Sequence, residues 1–438
     1  MVRAFLGDRG IEPGSLDLAI DARDEMLGFL VAGLEGDRER ALLAYFHSGL
    51  SIADGLLQVL RWRFGDLSRI GKVLDFASGY GRITRFLVRP PGGIPADRLA
   101  VADVYAEGVR FQQERFGVQG VVSTVDPEDF SLSEKFDAVL VTSLFTHLPA
   151  ERFRAWLRVL LGLLNPGGVL AFSTHDPGLL VPRPELSESG LLFQEISESG
   201  SLATSDYGST WVTEDFVRGA VAQAAPAASV FRLERGLCNY QDLYIAVLEP
   251  GVDFSSLGFQ AEPELFVEHC ALASADRLEM RGWAVARAGT AEAVEVVLSG
   301  VDGQILASFP IGHSRPDVAE LFGSRFLRSG WGGACPLPAG LPRSSVLLIR
   351  IRDGHGNSYL LQGGSLESML LESTRNDVSV LHRELKRSED RLAEHRAWAQ
   401  SRIEGLRARI AAMEASRFWK MRNAWFQLKR ALGLTDEK

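Results

Sequence analysis

Between residues 72 and 249, short apolar runs alternate with stretches of helical periodicity, and the first run ends in a glycine turn. Val73-Leu74-Asp75-Phe76 reads as a strand and Arg82 to Val88 as the helix after it. Leu99 to Asp103 precedes the helical Ala106 to Phe116, and Ala138 to Thr142 precedes Ala150 to Leu164. Val169 to Ser173 then leads, through a long insertion, to a helix over Glu214 to Ala224. Parallel strands need a helix-length crossover, so this alternation predicts an α/β domain with a parallel sheet covered on both faces. Hydrophobic residues at 46% and charged residues at 24% supply a normal core and exclude a disordered chain. No apolar run reaches the roughly 18 residues of a membrane span; Val159 to Leu164 is bounded by Arg158 and Asn165.

The flanks have other patterns. Residues 1–71 carry apolar positions at three- and four-residue spacing, predicting a helical cap with helices over Asp17 to Leu34, Asp37 to His47 and Ser51 to Phe64. The sheet domain is expected over 72–250. Across 259–362 the runs Leu278 to Val285, Ala293 to Leu298, Ile305 to Phe309 and Ser345 to Ile351 are separated by Gly, Pro and Asp turns, predicting a β-sandwich. Over 365–438, Val378, Leu381, Leu385, Leu392 and Ala399 hold a heptad register. Ile403, Leu406, Ile410 and Met413 resume it after a four-residue shift, the pattern of a coiled coil with a stutter and hence of a homo-oligomer.

Charge and cysteine narrow the function classes. The net charge of −9 argues against a general nucleic-acid binder. From Thr374 onward 15 basic residues face 9 acidic ones, a local +6 that leaves −15 on the remainder. Cys238, Cys270 and Cys335 have no paired spacing, and residues 1–10 contain no apolar signal-peptide core, so a cytoplasmic setting is expected.

The chemistry concentrates at Lys72-Val-Leu-Asp-Phe-Ala-Ser-Gly-Tyr-Gly-Arg82. A strand ending near Asp75, a turn of small residues and a helix opening near Gly81 allow close ligand approach and offer backbone donors. The acid stands ahead of the glycines, where it would repel a pyrophosphate and attract an ammonium. Asp103 closes the next strand, where a carboxylate can accept from ribose hydroxyls.

At these residues the chain resembles the class I S-adenosylmethionine-dependent methyltransferases, over roughly Tyr45 to Glu249. Asp75 to Gly81 matches the family's first motif, with Ala77 where a glycine usually stands, and Asp103 matches its ribose acid. Phe136-Asp-Ala-Val-Leu-Val-Thr-Ser-Leu-Phe-Thr-His-Leu-Pro149 matches the fourth strand and its loop, and Leu164-Asn-Pro-Gly-Gly-Val-Leu170 the turn into the fifth. The resemblance implies a Rossmann-like doubly wound domain with S-adenosyl-L-methionine as cofactor, held by Asp75, Ala77, Gly79, Gly81 and Asp103. Asp126 stands where the family often places an adenine-binding acid, and equally reads as a turn residue ahead of Pro127. Tyr45 to Gly49, Asp206 to Thr210, Gln241 to Tyr244 and Ser416 to Trp425 look like methyltransferases of bacterial surface-glycan synthesis. O-methylation of a sugar in a surface polysaccharide or its lipid-linked precursor is the function this implies. A non-catalytic scaffold of glycan assembly, or a methyltransferase for a protein or small metabolite, are the rivals.

An alcohol acceptor needs its proton removed as the new bond forms. His147 and His175 follow the fourth and fifth strands, at the sheet edge where such folds bind ligands, and are the candidate bases. His175-Asp176 alone makes no metal cage, so no metal is expected. The polar insertion from Asp176 to Trp211 reads as a substrate lid, with Tyr207 and Trp211 as candidate sugar-stacking groups or as pins for the loop. Trp283 and Trp331 read as core residues ahead of carbohydrate contacts. The last helix, Ser416 to Leu432, carries an apolar stripe with basic neighbours and reads as a peripheral membrane contact or a protein-docking helix.

Overall fold

The computed structural model describes residues 1–180, 190–197, 199–286 and 289–433. Residues 1–371 form one compact unit and those from Glu372 a second.

Three helices open the first unit: α1 (Val2–Asp8), α2 (Glu25–Gly33) and α3 (Arg38–Phe64). The helix expected from Asp17 starts only at Glu25. Arg85, which is 1% exposed, donates to the carbonyls of Asp17 and Ala19, both at 3.0 Å, and so takes acceptors that a helix would need. The helices expected at Asp37 to His47 and Ser51 to Phe64 are one, α3, running through Gly49. A Cβ at Gly49 would lie 2.5 Å from the Arg82 carbonyl oxygen, so glycine there serves close packing rather than a break.

The central sheet has seven strands. In chain order the elements are β1 (Val73–Phe76), α4 (Thr84–Leu87), β2 (Leu99–Asp103), α5 (Ala106–Phe116), β3 (Gln119–Val122), β4 (Phe136–Val141), α6 (Ala150–Gly162) and β5 (Leu164–Thr174). A hairpin of β6 (Leu191–Gln194) and β7 (Ser209–Val212) follows, then α7 (Glu214–Ala224), β8 (Ser229–Leu237) and β9 (Gln241–Val247). The sheet order is β3-β2-β1-β4-β5-β9-β8. The first five strands are parallel, whereas β9 is antiparallel to both neighbours, so the sheet is mixed rather than parallel throughout. Only Cys238, Asn239 and Tyr240 join β8 to β9, with positive φ at Cys238 and Asn239, and so short a turn can make a hairpin but no crossover.

Side chains alternate between the two faces. Val73, Val101, Leu140 and Ala171 pack with α3, while Leu74, Ala102, Val139 and Phe172 pack with α6 and α7. Both faces are therefore covered, with α3 from the N-terminal region forming much of one cover.

Two antiparallel sheets follow. One orders β10 (Glu264–Ser274), β11 (Arg277–Val285) and β14 (Gly330–Pro336). The other orders β13 (Ile305–Pro310), β12 (Ala293–Gly300), β15 (Val346–Asp353) and β16 (Ser358–Ser365), and α8 (Pro316–Phe322) lies between β13 and β14 in sequence. Met280 and Trp331 of the first sheet share an apolar cluster with Val296 and Ile349 of the second. Trp331 is thus core, while Trp283 stacks on Phe266 at 5.8 Å. Alternate residues of the second sheet, Leu348 and Leu360, join the cluster containing Phe5 and Leu43, so this sheet is buried on both sides. Arg350 pairs with Asp8, and Glu262 pairs with Arg9 at 2.5 Å and with His47 at 3.0 Å. Burial alone would raise the Glu262 carboxyl, but the charges of His47 and Arg9 prevail and hold it at about 2.

The second unit is helical. α9 (Leu366–Ala415) enters it and ends before Ser416, and α10 (Arg417–Ala431) follows. The heptad residues Leu385, Leu392, Ile403 and Ile410 are exposed. No described helix is long and apolar enough to cross a membrane.

Candidate active site

Where the strand order reverses between β1 and β4, the loops at the strands' carboxyl ends diverge and leave a crevice. Its volume is about 410 Å³, and it is walled by residues following β1, β2, β3 and β4.

The turn after β1 shapes one end. Ala77, Gly79 and Gly81 all have positive φ, at 58°, 57° and 76°. A Cβ at Gly79 would meet no atom within 4 Å, so that position faces the open crevice. At Gly81 a Cβ would lie 2.5 Å from Phe116 and 2.9 Å from Gln112, which makes this glycine a packing requirement of α5. Ala77 lines the crevice but holds a left-handed conformation at a cost of about 1–2 kcal/mol relative to right-handed backbone.

Asp103 lines the crevice and is 5% exposed. Its carboxylate accepts from the Gly79 amide at 2.7 Å and the Tyr105 amide at 3.0 Å, so it also pins the glycine turn. Burial raises its pKa, opposed by these backbone donors. A carboxylate has about four acceptor sites, which leaves capacity for hydroxyl donors from a ligand.

Asp75 does not face the crevice. Side chains alternate along β1, so Asp75 points to the side opposite Leu74 and Phe76, beneath the turn. There its Oδ2 lies 2.7 Å from Thr84 Oγ1. Thr84 Oγ1 also lies 2.7 Å from Gln112 Oε1, and Gln112 Nε2 donates to Ser78 Oγ and the Gly79 carbonyl, both at 2.9 Å. The Thr84 hydroxyl has one proton. If it serves Gln112 Oε1, it must accept from Asp75, which requires the Asp75 carboxyl to be protonated. Burial pushes that carboxyl up to about 7; Thr84 opposes the shift and the Asp103 charge adds to it. Asp75 is thus the foot of a hydrogen-bond chain that ends on the glycine turn. Asp126 also stands off the wall, where Thr124 and Val125 line the crevice; its carboxylate accepts from the Glu128 amide and caps a short turn.

Neither His147 nor His175 lines the crevice; His147 lies behind Tyr207, which does, where distant segments meet. His147 Nδ1 lies 2.6 Å from the Gly208 carbonyl, which makes Nδ1 the protonated nitrogen and leaves Nε2 with its lone pair. Burial lowers the His147 pKa, against a smaller upward effect of that bond, and the ring stacks on Tyr207 at 4.4 Å. Burial, with the His147 charge, lowers His175 to about 4. Gln241 Nε2 approaches His175 Nε2 at 3.3 Å, while Gln241 Oε1 accepts from Ser173 at 2.7 Å. Asp176 pairs with Arg232 at 2.8 Å. Tyr207 lines the crevice; Trp211, in β7, does not, and tilts against His175 at 6.2 Å.

Residues 199–207 of the insertion cover the crevice with the segment before α2. Tyr105 Oη bonds Ser201 at 2.5 Å and Ser199 at 3.2 Å, Ser201 reaches Glu25 at 3.3 Å, and Arg152 pairs with Asp206 at 3.2 Å. Residues 181–189 and 198, part of the expected lid, lie outside the described residues. Arg23 to Met26, Tyr105, Ser143 and Arg152 on this wall were not among the residues singled out from sequence. Ser143 and Gln241 fell within recognisable motifs, which was the available signal.

The methyltransferase-domain family matches residues 73–168, the segment that supplies β1 to the start of β5 and most of the crevice wall. The chain carries a methyltransferase domain. No curated protein matches the chain significantly. Among solved structures, an O-methyltransferase family protein from Burkholderia thailandensis is 20% identical, with 52% of this chain and 66% of that chain covered and a TM-score of 0.34. An amino pentose methyltransferase from Micromonospora echinaspora, involved in calicheamicin biosynthesis and solved with S-adenosylmethionine, is 19% identical over 45% of this chain and 91% of its own, with a TM-score of 0.33. The N-terminal domain of EvdMO1, solved in the presence of S-adenosylhomocysteine and D-fucose, is 19% identical over 45% and 82%, with a TM-score of 0.33.

The residues present fit S-adenosylmethionine, the cofactor expected from the sequence. Asp103 offers the crevice an anchored carboxylate, Gly79 presents backbone where a Cβ would occupy the cradle, and Thr124, Val125 and Trp156 form a wall suited to a flat base.

Proposed function

We propose that this chain O-methylates a sugar hydroxyl of a surface polysaccharide or its lipid-linked precursor. The observation that carries the reading is a ribose-type carboxylate on the crevice wall, with a buried histidine of defined tautomer stacked directly behind Tyr207 of the same wall. Asp103, Ala77 and Gly79 hold the cofactor, which when bound supplies an electrophilic methyl group on sulfur. Much of the acceleration is positioning, since the acceptor oxygen must lie in line with that carbon.

His147 receives the hydroxyl proton at Nε2 once the Ser199–Tyr207 cover moves aside for the acceptor. The cover is held by exposed or half-exposed Ser, Glu and Tyr side chains and one ion pair, each worth little in water. A lowered pKa keeps His147 neutral, and so able to accept a proton, at neutral pH. His175, with Nε2 against the Gln241 carboxamide, orients that side of the pocket. Tyr207, freed from His147, offers a ring face to the sugar.

Sugar acceptors are supported by the two sugar-related structures above, an amino pentose methyltransferase and a domain solved with D-fucose. The paired antiparallel sheets form a β-sandwich, residues 1–71 a cap to the methyltransferase domain, and the exposed α9 stripe a coiled coil between copies. Substituting Leu385 and Leu392 by Ser should lower the scattering mass of the full chain; an unchanged mass removes the coil. A cytoplasmic location suits cysteines that form no disulfide among the described residues, and it suits the cofactor. The experiment for the reaction is incubation with S-adenosylmethionine carrying a labelled methyl group and candidate lipid-linked or free oligosaccharides. Label on a sugar oxygen in the product supports the reading; label on protein, or none on any glycan with the cofactor bound, overturns it.

A further inference from the structure

The final described helix is not used by the chemistry above. α10 is a separate helix rather than the end of α9. Ser416 leaves helical geometry (φ −64°, ψ 147°), its hydroxyl accepts from the Trp419 amide at 3.2 Å, and it donates to the Met413 carbonyl at 2.6 Å. This N-cap starts a fresh helix of 15 residues, long enough to choose its own orientation.

Its side chains divide by chemistry. Phe418, Met421, Trp425, Leu428 and Leu432 repeat at three and four residues, so they lie on one stripe, while Phe426 and Trp419 lie further round the helix, beyond Lys429 and Arg422. Phe418 is 76% exposed, Met421 72%, Leu432 62% and Trp425 57%. Arg417, Lys420, Arg422, Lys429 and Arg430 give five positive charges, and residues 416–433 contain no acidic residue, in a chain whose net charge is −9. Arg422 lies over Trp419 at 4.5 Å and over Phe426 at 5.4 Å, and Lys429 over Trp425 at 5.7 Å. Cations riding along aromatic rings place apolar bodies at one depth and charged heads just above it. A coiled-coil seam would want aliphatic knobs and mixed-sign flanks. Tryptophans with a wholly basic surround instead match the boundary between acyl chains and anionic headgroups.

We propose that α10 is an in-plane anchor that binds the chain reversibly to a bilayer bearing anionic phospholipid. Apolar contact and charge act together, as stable attachment without a spanning helix requires two signals. The inference stands apart from the reading of the crevice, since it uses none of its residues.

The test is co-sedimentation of the full chain with vesicles of phosphatidylcholine alone or mixed with phosphatidylglycerol, at about 0.1 M and about 1 M salt, where the Debye length falls from about 10 to about 3 Å. Binding is expected on the mixed vesicles at low salt and lost on the neutral ones and at high salt. Lys420→Gln with Lys429→Gln should lower partitioning about thirtyfold, each basic residue near such a surface contributing about fivefold. Phe418→Ser with Trp425→Ser should lower it about tenfold or more. Unchanged helical content and cofactor affinity in both variants show that the chain is otherwise intact. Absence of binding to the mixed vesicles at low salt, or binding insensitive to both pairs of substitutions, overturns the anchor. A fall in scattering mass on Phe418→Ser with Trp425→Ser also overturns it, assigning this face to a second copy of the chain.

Discussion

The two ends of the crevice are built in different ways. At the cofactor end, residues 75–112 supply nearly every group: the turn, the Asp103 carboxylate that pins it and the chain from Asp75 through Thr84 and Gln112. At the proposed acceptor end, His147, Ser173, His175, Gly208 and Gln241 gather behind Tyr207, which lines the crevice, from segments almost a hundred residues apart. The first end is rigid before any ligand arrives, because backbone amides and buried polar groups satisfy one another. The second is closed over by surface side chains, which the proposed reaction requires to open. On the proposed reading, a preorganised cofactor site beside a movable acceptor site would let one cofactor geometry serve different acceptors, with specificity residing in the cover.

The sharpest way to break this contrast is at His147. His147→Ala should lower turnover at saturating cofactor by about 10²–10⁴-fold while leaving cofactor affinity unchanged, read by steady-state kinetics beside calorimetry. Equal losses in both quantities would mean that the two ends are one site. Next in size is Asp103→Ala, which removes a carboxylate and orphans the Gly79 and Tyr105 amides. Cofactor affinity should fall about tenfold to hundredfold, and Gly79→Val should act in the same direction by filling the cradle. Calorimetry returning wild-type affinity for both variants would refute the assignment of this end.

A smaller effect tests the buried chain. The folded Asp75 carboxyl keeps its proton up to about pH 7, whereas an unfolded Asp loses it near 4. A raised folded pKa adds stability that is fully present below the unfolded value and is lost as the pH rises through the folded one. Asp103, also raised, acts in the same direction. Asp75→Asn places an amide donor where the protonated carboxyl stands. Its melting temperature should match the wild type at or below about pH 4 and exceed it by several degrees near pH 8. Parallel melting curves across that range would show that Asp75 is ionised and the chain runs the other way. The smallest expected change is at Ala77, whose left-handed backbone glycine adopts freely. Ala77→Gly should stabilise the fold by about 1 kcal/mol, after the greater flexibility of unfolded glycine is subtracted, without weakening cofactor binding. Destabilisation in a denaturant titration would show that the methyl group contributes more by packing than the backbone conformation costs.

The legible parts were those whose cause is local. Strand and helix alternation, the turn from Asp75 to Gly81 and the acid at Asp103 rest on periodicity and on φ angles that small residues tolerate, and these survive in a string of letters. Tertiary packing decided the rest. Asp75 has the composition of a ligand-binding acid, yet strand alternation and the helices against that face bury it beneath the turn. Asp17 to Asp24 has helical spacing, but a buried guanidinium from Arg85 claims its carbonyls. The direction of β9 follows from a three-residue turn with positive φ at Cys238 and Asn239; asparagine tolerates that backbone, but nothing in Cys238 announces it. The tautomer of His147 depends on a carbonyl 61 residues away. Sequence spacing carries the preferences of the backbone, but the partner that each polar side chain finds is determined only when distant segments bury it together.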